Sequence, residues 1–177
     1  VESGSCGDNI TYTLDSAGNL TISGTGLMAD FSSSAPWDSV RQNIKRVIIS
    51  DGVTSIGNSA FKSCIGLTSI KIGNNVKNIE SFAFYGCNKL TKLEIPDSVT
   101  SIGIKAFTYC SGLTSIKFGS GLKEISSTMF YGCKNLTSIA IPNGITSIGS
   151  YAFANCTNLA RIEIPESVLS IGPDAFN

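Results

Sequence analysis

Five cysteines, Cys64, Cys87, Cys110, Cys133 and Cys156, stand 23 residues apart, and Phe61, Phe84, Phe107, Phe130, Phe153 and Phe176 keep the same step. Ile56, Ile79, Ile102, Ile125, Ile148 and Ile171 form a third column, and Leu67, Leu90, Leu113, Leu136 and Leu159 a fourth that begins with Ile44. A fixed period of this length means stacked units, because so short a unit cannot bury its apolar side alone. Counting from Ile44 gives five complete repeats, 44–66, 67–89, 90–112, 113–135 and 136–158, and a partial one, 159–177.

Each repeat opens on a strand pattern. In the segment from Leu67 to Ile72, Ile70 and Ile72 point one way while Ser69 and Lys71 point the other. Stacking at roughly 4.8 Å pairs such strands in parallel and merges their inward residues into one core. A turn such as Pro96-Asp97-Ser98 reverses the chain, Pro fixing φ and Asp bonding its own backbone. A second short strand, Val99 to Ile102, is expected on the opposite wall, followed by a brief helical turn that carries Ala106, Phe107 and Cys110 inward. Repeats two and four share Lys71/Lys117, Gly73/Gly119 and Tyr-Gly-Cys, a 46-residue super-period. Gly103 and Gly149 face Glu80 and Ser126 in the alternate repeats, so that column does not strictly require glycine.

Residues 1–43 do not repeat and are read as an N-terminal cap. Ile10, Tyr12 and Leu14, then Leu20 and Ile22, alternate with polar residues around the loop 15–19, a hairpin expected to lie on the first repeat. Pro36 is placed to start a short helix with Trp37, Val40 and Ile44 on one face, sealing the end of the core. The chain starts at Val1, which leads to the expectation of a removed export signal, and it stops at Asn177 inside a repeat, which leads to the expectation that the natural protein continues. An uncapped last repeat is expected to support an end-to-end dimer.

The unit Leu-Thr-Ser-Ile-x-Ile-Pro-x-x-Val-x-x-Ile-Gly-x-x-Ala-Phe-x-x-Cys-x-x resembles the repeat of the BspA-like surface-antigen family of leucine-rich-repeat proteins, across residues 44–177. Ser5-Cys6-Gly7-Asp8, the run from Leu20 to Gly26, and Ala35-Pro36-Trp37 are similar to the segment that often precedes such repeats in secreted bacterial members. The resemblance implies a leucine-rich-repeat solenoid with a parallel sheet on its concave face and short second strands and helical turns on the other wall. It also implies export to a bacterial cell surface or its surroundings, and adhesion to host proteins or matrix. It implies no catalytic residues.

The side-chain inventory points the same way. There is no histidine, which removes the usual general base, the Ser-His and Cys-His nucleophile pairs and the commonest metal ligand. Zero formal net charge argues against a nucleic-acid partner, and no apolar run approaches the roughly 18 residues of a membrane span. The cysteine column matches no zinc spacing and is read as buried, reduced thiols; Cys6 is read as a free cap residue, with a disulfide the lesser alternative. Asp51, Asn74, Asp97, Ser120, Asn143 and Glu166 form an edge column better explained by turn chemistry than by calcium. Tyr85 and Tyr131 share one column near the turns, and Phe82 and Tyr151 another, expected to be partly buried.

No cofactor is expected, and the candidate partner-binding residues lie on the concave face. They are Arg46, Lys71, Lys92, Glu94, Lys117, Arg161 and Glu163, in two adjacent columns. Five basic against two acidic side chains suit an acidic protein or glycan partner. Lys71, Glu94 and Lys117 are also placed to neutralise one another across successive strands. The main reading is a non-catalytic binding or adhesion module, and the alternative is a structural spacer within a larger surface protein.

Overall fold

A computed structural model describes residues 1–177 in full. Each repeat places one short strand in each of two walls. The first wall holds β5 (Arg46–Ile49), β7 (Ser69–Lys71), β9 (Lys92–Glu94), β11 (Ser115–Lys117), β13 (Ser138–Ala140) and β15 (Arg161–Glu163). The second holds β6 (Val53–Ile56), β8 (Asn78–Ile79), β10 (Ser101–Ile102), β12 (Glu124–Ile125), β14 (Ser147–Ile148) and β16 (Ser170–Ile171). The period of two is visible in β9, which exposes Lys92 and Glu94 and buries Leu93.

Pairing is parallel and in repeat register, as in Lys92 opposite Ser115 and Ser138 opposite Arg161. The ladders are interrupted. In the first wall β5 pairs with β7, β9 with β11 and β13 with β15, whereas the second wall runs unbroken from β6 through β8 to β10 and restarts at β12. The interruptions are staggered, so every pair of neighbouring repeats is held by a ladder in at least one wall. Both gaps in the first wall follow an even repeat, so they recur at the 46-residue spacing of the super-period in the sequence.

Between the walls runs one cluster of 47 buried residues. Its spine is the phenylalanine column from Phe61 to Phe153, continued by the exposed Phe176, and the rings stack nearly parallel at 5.1 to 5.6 Å. Beside it, Cys87, Cys110, Cys133 and Cys156 each donate Sγ–H to the carbonyl of Phe61, Phe84, Phe107 and Phe130, at 3.2 to 3.5 Å. A small apolar side chain with a weak donor fits there because it fills the gap beside each ring and satisfies a buried carbonyl.

The expected helical turns take another form. From Phe82 to Cys87 the N–H groups alternate: those of Ala83, Tyr85 and Cys87 bond three residues back, and those of Phe82, Phe84 and Gly86 bond Ile104, Ala106 and Thr108 of the next repeat. Half of the donors are used along the solenoid axis, so no continuous helix forms. The alternation needs left-handed residues such as Phe82 (φ 60°) and Tyr109 (φ 59°). The only helix is a 3₁₀ segment, Asp38–Asn43, and no helix is long and apolar enough to cross a membrane.

The N-terminal segment forms β1 (Glu2–Gly7), β2 (Ile10–Leu14), β3 (Asn19–Gly24) and β4 (Gly26–Leu27). β2 and β3 make the hairpin, closed by Asp15, whose carboxylate accepts from the N–H groups of Ala17 and Asn19. β3 pairs in parallel with β5 and β4 with β6, while β1, which the sequence pattern does not announce, adds an antiparallel edge to β2. Trp37 and Ile44 are fully buried and bracket the 3₁₀ segment, in which Val40 is half-buried. Trp37 stacks on Phe61 at 5.4 Å and donates Nε1–H to the Ala60 carbonyl, so the indole ends the phenylalanine spine.

Candidate functional site

The outward residues of the first wall are the candidate binding face. Arg46, Lys71, Lys92, Glu94, Lys117, Arg161 and Glu163 are all exposed, held by strands whose inward neighbours anchor them in the core. Lys117 Nζ lies 2.8 Å from Glu94 on the adjacent strand, and this carboxylate raises the lysine's pKa above its ordinary value. Arg161 pairs at 2.8 Å with Glu163 of its own strand. Lys71 does not join the Lys117–Glu94 pair, so the expected three-residue neutralisation is only partly formed. Arg46, Lys71 and Lys92, on three successive repeats, make no ion pair. Between β7 and β11 the surface dips into a hollow of about 380 Å³ lined by Ser69, Lys92, Glu94, Ser115 and Lys117 among others. The interruption between β7 and β9 falls within it.

The thiol column lies inside the core. All six cysteines are free and buried. Burial pushes Cys64 and Cys110 up to about 12 and Cys6 up to about 11. No group of three or more His, Cys, Asp or Glu residues converges on a point where a metal ion could sit.

The polar edge column acts differently from the expected local turn. The carboxylate of Asp51 accepts from the N–H of Asn74, and that of Asp97 from the N–H of Ser120, each at 2.8 Å and one repeat away. This bond holds the Asp97 carboxyl below its usual pKa. The turns themselves close by backbone bonds, such as Val99 N–H to the Pro96 carbonyl. The aspartates are therefore free to take the next repeat's otherwise unpaired donor.

At the opposite corner Phe82, Tyr85 and Tyr131 are half-buried and Tyr151 is exposed. Sequence columns did not single out Tyr109, which lies between Tyr85 and Tyr131 with its ring 5.5 Å from each. It belongs to a different column from theirs, so only the direction of its side chain brings the three together.

A sequence profile described as BspA type Leucine rich repeat region (6 copies) matches residues 39–134 and 78–177. Among solved structures, a leucine-rich-repeat protein of T. pallidum is 27% identical with a TM-score of 0.72, covering 91% of this chain and 82% of that one. A leucine-rich-repeat protein of Bacteroides ovatus is 24% identical with a TM-score of 0.61, covering 93% of this chain and 54% of that one. One from Eubacterium ventriosum is 23% identical with a TM-score of 0.52, covering 97% of this chain and 62% of that one. No curated protein matches the sequence.

Proposed function

The chain belongs to the BspA-type leucine-rich-repeat family, and on that premise we propose a non-catalytic binding role in a secreted or cell-surface bacterial protein. Its partner, a protein or a glycan, meets the outward columns of the first wall. The observation that carries this reading is the charge distribution there. Glu94 and Glu163 are occupied by Lys117 and Arg161, which leaves Arg46, Lys71 and Lys92 as a cationic strip over three repeats. Such a strip, held on strands anchored in a close-packed core, suits an acidic surface without reorganising. Ion pairing of both carboxylates, together with the absence of histidine, supports the non-catalytic reading. Placement outside the cell rests on the resemblance of cap and repeats to exported members of the family.

Binding of the purified chain to an array of matrix proteins and glycans, beside a variant with Lys71, Lys92 and Lys117 changed to Ser, tests this role. Saturable binding lost in the variant supports it. Binding that survives moves the contact elsewhere, and no binding favours a spacer. We also propose that two copies associate through the last repeat, where Leu169 is 84% and Ile171 47% exposed.

A further inference from the structure

Four of the chain's five tyrosines, Tyr85, Tyr109, Tyr131 and Tyr151, lie in the turns that lead from the second-wall strand of one repeat to the first-wall strand of the next. Tyr109 occupies a column in which the repeats on either side carry Gly86 and Gly132, both at positive φ. That absence of side chains makes the slot. A Cβ at Gly132 would stand 2.7 Å from Cδ1 of Tyr109, so the ring lies over the glycine. The ring is held at 84° to Tyr85 on one side and Tyr131 on the other. Tyr109 nevertheless remains 45% exposed.

The three rings, with Lys105, Thr108 and Thr128, line a hollow of about 240 Å³. Its charge is one-sided. Lys105 Nζ lies 5.5 Å above the Phe82 ring, and Lys62 Nζ 5.7 Å from the rings of Phe82 and Tyr85. Neither lysine has an ion-pair partner, and no carboxylate lines the hollow. Aromatic faces take the C–H side of a sugar ring, phenolic hydroxyls take its polar rim, and an unpaired ammonium takes an acidic substituent.

We propose that this corner is a second binding site, distinct from the first wall, for an oligosaccharide bearing uronic-acid carboxylates. The hollow holds one sugar ring against the exposed part of Tyr109, with Tyr85 and Tyr131 in its lining, and Lys105 meets its carboxylate.

Calorimetric titration with hexagalacturonate, and with neutral cellohexaose for comparison, tests the site. Tyr109→Gly matches the residue that the neighbouring repeats carry in that column, so the fold is retained, as an unchanged urea midpoint would verify. Saturable binding of hexagalacturonate, weakened about tenfold or more in Tyr109→Gly and in Lys105→Gln, supports the site. The first-wall variant of Lys71, Lys92 and Lys117 should bind it unchanged. Absent binding, full affinity in Tyr109→Gly, equal affinity for cellohexaose, or loss in the first-wall variant alone would each overturn the proposal. Because the two variants lie on different faces, failure here leaves the first-wall reading untouched.

Discussion

Two alanine substitutions in one column, Phe107→Ala and Phe176→Ala, separate what stacking contributes from what composition contributes. Phe107 is fully buried, with Phe84 at 5.3 Å below it and Phe130 at 5.6 Å above. Removing a buried phenylalanine costs about 3–5 kcal/mol, from lost transfer energy plus the cavity that remains. The Cys133 thiol bonds the Phe107 carbonyl and backs the same space, so collapse into the cavity is restricted and the upper part of that range applies. Phe176 has one ring neighbour, Phe153 at 5.6 Å, and is 39% exposed. Less area is withdrawn from water there and no enclosed cavity is left, so about 1–2 kcal/mol is expected. Stability in a solenoid is close to a sum of repeat and interface terms, and the central loss also uncouples repeats on either side. Urea unfolding gives the two free energies, and amide exchange should show the Phe107 variant opening in repeats three to five while the cap stays protected. Equal costs at the two positions would refute the reasoning, because the column would then be contributing composition and not stacking.

Further outcomes follow from the same geometry. The thiols of Cys64 and Cys110 are raised by burial from 9.0 to about 12, so the folded state disfavours the thiolate. Their contribution is complete below pH 9 and declines as pH rises from there towards 12, since the unfolded chain ionises first; replacing both with Ala should flatten that part of the urea-midpoint profile. Native alkylation should reach Cys156, at 8% exposure, before Cys110, and uniform labelling would count against the buried column. At Gly103 a Cβ would overlap the backbone of Ser81, so Gly103→Ala should cost about 1–3 kcal/mol by overpacking, and a neutral result would show that the repeats separate easily. Light scattering at high concentration should show association that Leu169→Ser with Ile171→Ser abolishes; a monomeric parent would exclude the last repeat as a contact.

Much of this architecture was legible because a solenoid repeats its environment at a constant interval. Inward columns of Phe, Ile and Leu, and outward columns such as Lys71, Glu94 and Lys117, follow from alternation within a strand and recurrence between repeats. The glycine column was only half legible. Glu80 and Ser126 show that a side chain is tolerated in some repeats, yet Gly103 and Gly149 lie against the backbone of Ser81 and Ser127. Nor could period alone assign hydrogen bonds, since Asp97 to Ser120 N–H and a local turn satisfy the same spacing.

The sequence by itself determined the period, the parallel register, the identity of the buried columns and the two-column outward face, because these depend only on backbone alternation and the need to share one core. Tertiary structure alone decided which charges on that face pair, the staggering of the ladders, the left-handed turns whose donors bond between repeats, and the position of Tyr109 between Tyr85 and Tyr131. Those depend on side-chain direction and on distances across repeats, which the period leaves open even where, as for Glu94 and Lys117, it sets the two residues side by side in one column.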